Sequence, residues 1–171
     1  MGHSIALNFA WKGFSVSMYG QDAADLDRGR AGIKSKLAVM VREGLVPVEE
    51  EELILDRITC STSLEKAVAE AKFIIEAVPE IITLKHELFA KLEALCAPAT
   101  IFASNTSGLK PGLIAAPLQH PARFVVMHFW NPAHLIPLVE VVPAASTSSE
   151  TIEASFRLLK ELGKKAIHVK K

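Results

Sequence analysis

The sequence predicts an α/β protein built on a doubly wound, mostly parallel sheet, and three observations carry that prediction. Short apolar runs of strand character alternate with segments whose apolar residues recur every three or four positions. One run, 73–78, is apolar apart from Glu76, as expected of a strand covered on both faces. No internal repeat, low-complexity tract or linker breaks the alternation over 171 residues, a length suited to one domain.

The elements follow in order. Gly2 leads directly into an apolar helical stretch, and "FSVSMY" (14–19) reads as a strand. Leu26, Ile33, Leu37, Met40 and Val41 then recur at helical spacing, and Gly44 closes that helix. "PVEEEELIL" (47–55) is a short acidic-faced helix and "RITCST" (57–62) a short strand. After the strand 73–78, Ile81, Leu84, Leu88, Leu92 and Leu95 stripe a helix, and "TIFAS" (100–104) is the next strand. "FVVMHF" (124–129) and "PLVEVV" (137–142) are two more. Ile152, Phe156 and Leu159 stripe a last helix before a closing strand, "KAIHVK" (165–170).

Composition excludes several function classes. Lys+Arg and Asp+Glu both number 19, so the net charge is zero and no basic stripe calls for nucleic acid. Half the residues are hydrophobic, yet no apolar run approaches a membrane span, and no leader pattern opens the chain. Cys60 and Cys96 lack CxxC spacing and read as reduced thiols of a cytoplasmic protein. His3, His86, His120, His134 and His168 show no partner pattern, and no metal site is expected.

In such sheets ligands gather beyond the carboxyl ends of the strands. Pro79-Glu80 follows 73–78, and Asn105-Thr106-Ser107 follows 100–104. His128 follows the apolar 124–127, and Asn131 comes soon after. Three strands thus deliver Glu, Asn/Ser and His/Asn towards one edge. Glu140 interrupts an otherwise apolar strand, where a lone carboxylate is costly to bury, and His128 is its natural partner. A carboxylate on one ring nitrogen fixes the tautomer and makes the imidazole a competent general acid or base near neutral pH.

"IIEAVPE", "LKHELFAKL", "ASNTSGL", "HFWNP" and "IPLVEVV", in that order, resemble the NAD-binding domain of the 3-hydroxyacyl-CoA dehydrogenases over nearly the whole chain. The resemblance implies a Rossmann-like domain over 1–171, an NAD cofactor and an acyl-CoA substrate. It also implies hydride transfer between C3 of the acyl group and the nicotinamide. Position by position, His128 matches the catalytic base and Glu140 the carboxylate that orients it. Ser107 matches the serine that bonds the C3 oxygen, and Asn131 an asparagine of the same pocket. Glu80 and Lys85 match positions lining the cofactor's ribose, with Asn105 beside them, and Gly2 matches the third glycine of the dinucleotide fingerprint. Lys34 and Lys36 lie where the family contacts CoA phosphates, although a solvated helix face is the expectation here.

Against these roles stand plain structural ones. Ser107 would cap the next turn, Asn131 would punctuate one, and Glu80 would favour a helix dipole.

The chain departs from the family in three places. The opening strand and first two fingerprint glycines are missing, which predicts an N-terminally truncated domain with two unpaired strand edges. Gly20 stands where an acidic residue usually holds the adenosine ribose, with Gln21 or Asp22 as substitutes. The helical domain that forms dimers and closes over acyl-CoA is missing as well. The chain alone is therefore expected to be weakly active or inactive, and the whole enzyme a homo-oligomer. Two alternatives stand beside this reading. One is a dehydrogenase of free hydroxy acids, of the λ-crystallin or carnitine dehydrogenase kind. The other is a non-catalytic fragment that self-associates through its exposed edges.

Overall fold

The computed structural model describes residues 1–169. The described chain separates into two compact units, one of residues 1–67 with 131–135 and the other of 68–130 with the described residues from 136 onward.

In the first unit, helix α1 (Gly2–Trp11) is followed by strand β1 (Val16–Tyr19) and the long helix α2 (Ala23–Arg42). Asp22 caps α2 by accepting a hydrogen bond from the Asp25 amide at 2.8 Å. The helix stops as the sequence predicts: Gly44 adopts φ +72°, and the amides of Gly44 and Leu45 reach back to the Val41 and Met40 carbonyls. The acidic stretch forms a 3-10 turn (Val48–Glu50) running into α3 (Glu51–Asp56), in which Ile54 is the buried residue. Strand β2 (Ile58–Ser61) pairs in parallel with β1, Val16 opposite Ile58. Leu7, Ala10, Ile33, Leu37, Met40, Val46 and Ile54 form the core of this unit. Each large aliphatic among them contributes about 1.5–3 kcal/mol by leaving water. Helix α4 (Leu64–Val68) follows β2 along the chain.

The second unit runs β3 (Phe73–Glu76), α5 (Ile82–Leu95), β4 (Ile101–Ser104), α6 (Pro111–Ala115) and β5 (Phe124–Phe129). It continues with β6 (Leu138–Pro143), α7 (Ser149–Glu161) and β7 (Lys165–His168). Its sheet has the order β3-β4-β5-β6-β7, parallel throughout except for the antiparallel β5–β6 pair. The strands thus form two sheets, and β1 and β3 each pair on one side only among the described residues. The strands β2 and β7 are likewise edges of their sheets among the described residues.

Three local expectations are corrected. Strand β3 is not covered on both faces: Phe73, Ile74 and Ile75 are half-buried, and Glu76 is its one fully buried residue. A strand paired on one side only leaves its apolar residues partly in the open. Helix α5 turns Lys85, Phe89 and Leu92 inward and leaves Leu95 exposed, as is Ile81, which precedes the helix as its N-cap. Phe89 sits edge-on to Phe124 at 5.3 Å, and Lys85 reaches buried carboxylates, so the buried stripe is rotated from the leucine stripe. Helix α7 buries Thr151, Ser155 and Leu159, with Ile152 and Phe156 half-buried beside them. Burial of Ser155 is cheap because its hydroxyl bonds the Thr151 carbonyl at 2.8 Å. The five-residue helices α4 and α6 are too short for a period to show in the sequence. The closing strand ends at His168, and residue 170 of its predicted span lies outside the described residues. No helix among the described residues is long and apolar enough to cross a membrane.

Candidate functional site

Strand register brings the acid–base pair together. In the antiparallel β5–β6 ladder His128 stands directly opposite Glu140, and directly opposed side chains are neighbours. His128 Nδ1 lies 2.7 Å from Glu140 Oε2. Alternation along β6 buries Val139 and Val141 and leaves Glu140 on the other face, 28% exposed, with His128 at 23%. The carboxylate is therefore half-buried rather than enclosed. With Nδ1–H donating to the carboxylate, Nε2 becomes the acceptor, and it makes no hydrogen bond among the described residues.

These two residues line a cleft of about 240 Å³ together with Ser107, Gly108, Lys110 and Val126. Ser107 comes from the loop after β4 and is exposed. The turn-capping hydroxyl here is its neighbour: the Leu109 amide donates to Thr106 Oγ1 at 3.1 Å, while the Ser107 hydroxyl makes no hydrogen bond among the described residues. A second open groove of about 530 Å³, beside α7 and β7, offers Arg157, Lys160 and Lys164 around Ile152 and Phe156, but no imidazole or hydroxyl.

A carboxylate relay lies behind the Ser107 loop. Glu80 Oε1 accepts from the Thr106 hydroxyl and from the amides of Ser107 and Gly108, the latter two at 3.1 Å each. Lys85 Nζ is 3.2 Å from Glu80 Oε2 and 2.7 Å from Glu76 Oε1. Glu76, with its side chain wholly buried, also accepts from the Val78 amide at 2.7 Å and the Ser104 hydroxyl at 2.6 Å. Partial burial pushes the Glu80 carboxyl up, but the bonds from Thr106, Gly108 and Lys85 outweigh it and hold the pKa at about 2.

The sequence-predicted residues thus divide. His128, Glu140 and Ser107 meet at one cleft, and Glu80 stands behind it. Lys85 is corrected: its side chain is 1% exposed and its ammonium is held between two carboxylates, so it braces Glu80 instead of facing a ligand. Asn105 has its carbonyl oxygen committed to the Phe129 amide at 2.8 Å, tying the loop to the strand that carries His128. Asn131 is exposed and belongs to the first unit, as does Gly2, which opens α1.

In that unit Gly20 ends β1 against Leu26, whose Cδ2 lies 2.8 Å from where a Cβ would stand. Asp22, one of the two expected substitutes beside Gln21, is occupied as the α2 cap. Lys36 is no solvated face residue but donates to His3 Nε2 at 2.9 Å. Burial first, then Lys36 and the chain's amino terminus, lower the His3 pKa and keep that ring an acceptor. His134 and His86 also have partners, the Ser4 hydroxyl at 2.9 Å and the Leu113 carbonyl at 2.8 Å.

Glu76, Ser104 and Thr106 are the site residues that sequence reasoning misses. A signal existed for Glu76, a lone carboxylate in an apolar strand, the same signal that singles out Glu140.

The family model of the 3-hydroxyacyl-CoA dehydrogenase NAD-binding domain matches residues 1–171. The chain belongs to this family. It is 38% identical over 169 residues to a probable 3-hydroxybutyryl-CoA dehydrogenase of Bacillus subtilis (strain 168), covering 99% of this chain and 58% of that protein. It is 37% identical over 142 residues to an L-carnitine dehydrogenase of Pseudomonas aeruginosa, covering 83% of this chain and 43% of the relative. The crystal structure of (S)-3-hydroxybutyryl-CoA dehydrogenase from Ralstonia eutropha superposes with a TM-score of 0.96 at 32% identity, over 100% of this chain and 60% of that one. The chain thus spans about half the length of the curated relatives it matches. The family's domain binds NAD. The donor set suits a sugar hydroxyl: Glu80 is ionised and 40% exposed, and its Oε2, bonded only to Lys85 among the described residues, keeps a lone pair.

Proposed function

We propose that this chain is the cofactor-binding part of an NAD-dependent dehydrogenase that interconverts 3-hydroxyacyl-CoA and 3-oxoacyl-CoA. The observation that carries the proposal is the cleft in which Ser107, His128 and Glu140 meet, with His128 Nδ1 bonded to Glu140 and Nε2 left to react. In the oxidative direction His128 Nε2 takes the proton of the C3 hydroxyl, and Glu140 stabilises the imidazolium that forms. In the reductive direction the imidazolium returns that proton to the C3 oxygen. The Ser107 hydroxyl donates to the same oxygen as negative charge gathers on it. NAD, when bound, supplies the hydride acceptor for C3. Glu80 offers Oε2 to the adjoining ribose, and Gly2 opens a helix whose amino end would suit an anion.

Kinship with L-carnitine dehydrogenase favours a second substrate class, free hydroxy acids. Equal turnover of acetoacetate and acetoacetyl-CoA by the intact protein would select that class. For either substrate, His128→Ala is expected to lower kcat by about 10²–10⁴-fold while the Kd for NADH stays within about threefold. A variant that keeps its turnover, or that loses NADH binding instead, overturns the assignment of His128.

A further inference from the structure

We propose that the Glu80 carboxylate is the latch of the Ser107 loop, so that the group offered to a cofactor sugar also sets the position of the hydroxyl that faces the substrate. The latch stands on geometry alone; its consequence for turnover rests on the dehydrogenase reading above.

Ser107 Oγ has no hydrogen bond among the described residues, so backbone contacts decide where it points. Those contacts converge on one atom. The Thr106 hydroxyl, the Ser107 amide and the Gly108 amide all donate to Glu80 Oε1. Three donors on one ionised oxygen are charge-assisted, each roughly twice as strong as a neutral bond. The remaining bonds of this turn are longer or internal to it: the Thr106 amide reaches Ser104 Oγ at 3.3 Å, and the Leu109 amide reaches Thr106 Oγ1 at 3.1 Å. Without Glu80, residues 106–108 would keep no bond to the segment between β3 and α5.

The latch is itself anchored. Lys85 bridges Glu80 Oε2 and Glu76 Oε1, and Glu76 is pinned by Val78 and Ser104. Ser104 ends the strand that precedes the Ser107 loop, so the relay closes on itself: β4, Glu76, Lys85, Glu80, loop. A ring of bonds of this kind holds one geometry better than any of its members singly. A sugar hydroxyl bonding Oε2 therefore acts on the carboxylate whose other oxygen places Ser107. Cofactor and acyl substrate are coupled through a single side chain, and by linkage each tightens the other's site reciprocally.

Hydrogen exchange on the intact protein tests the latch directly. The Ser107 and Gly108 amides are expected to be protected, and to exchange about tenfold faster or more in Glu80→Ala. Thr106→Val, which removes one donor and leaves the carboxylate in place, should speed exchange at the same two amides by a smaller factor. Kinetics then test the coupling. With acetoacetyl-CoA and saturating NADH, Glu80→Ala and Ser107→Ala are each expected to lower kcat by about tenfold or more. The double variant should fall within about threefold of Ser107→Ala, because both remove the same interaction. Unchanged exchange in Glu80→Ala and Thr106→Val overturns the latch, and kcat losses that multiply in the double variant overturn the coupling. A wild-type protein that does not reduce acetoacetyl-CoA overturns the dehydrogenase reading instead, and the exchange rates still decide the latch.

Discussion

Replacing Glu76 by glutamine would measure what the buried ion pair beneath the Ser107 loop is worth. Glutamine keeps the volume and one acceptor oxygen, so packing around β3 is preserved and the change is electrostatic. In the native chain Glu76 accepts from Lys85, Ser104 and Val78 at 2.6–2.7 Å, with the side chains of Glu76 and Lys85 0% and 1% exposed. Removing one partner of a buried pair costs about 3–5 kcal/mol, because the other charge stays dry and uncompensated. Here Glu80 Oε2 remains 3.2 Å from the ammonium, which places the cost near the lower end, about 3 kcal/mol. At about 2–4 °C per kcal/mol for a chain of this size, Tm should fall by about 6–12 °C. Thermal unfolding followed by far-ultraviolet circular dichroism at pH 7 would show it. Adding Lys85→Met should restore part of the loss, since no bare charge is then left inside. A fall below about 2 °C, or a double variant that loses the sum of both single effects, would show that the pair is not sealed from water as described.

Two further outcomes follow from single groups. The Glu80 pKa of about 2 lies below that of an unfolded glutamate, about 4.3, so its stabilisation is complete above about pH 5 and is lost as pH falls through about 2. Urea midpoints between pH 5 and 2 should therefore drop more steeply for wild type than for Glu80→Gln, and parallel curves would refute the assignment. Gly44→Ala should cost about 1 kcal/mol, or about 2–4 °C in Tm. Its φ of +72° penalises any Cβ, while no atom lies within 4 Å to clash with one. An unchanged melt would mean that α2 ends differently.

Much of the site was legible because it follows from local rules. A strand's period of two and the residues after each strand end point to Glu80, Ser107 and His128 without any contact being known. Glu140 was legible because it is a lone carboxylate in an apolar strand with one imidazole on the neighbouring strand. Glu76 sends the same signal, yet its partners are a lysine nine residues on and a serine 28 residues on. Nothing in either sequence neighbourhood marks them. Lys85, matched by resemblance to a position lining the cofactor's ribose, turns inward instead, because a helical period counts apolar side chains and overlooks a buried charge. Asn131 is three residues from His128 in "HFWNP", yet it folds with the other unit, a division that no local pattern marks.

Taken alone, the order of residues determined the alternation of strands and helices, the end of α2 at Gly44, and the family through its motifs. It also determined which polar residues follow each strand. These are properties of short stretches, set by backbone sterics and side-chain period. The tertiary structure decided which polar groups meet: the antiparallel register that faces His128 to Glu140, and the closed relay that turns Lys85 inward. The physical reason is that a charge is worth little until burial removes its water. Burial is made by segments far apart in the chain.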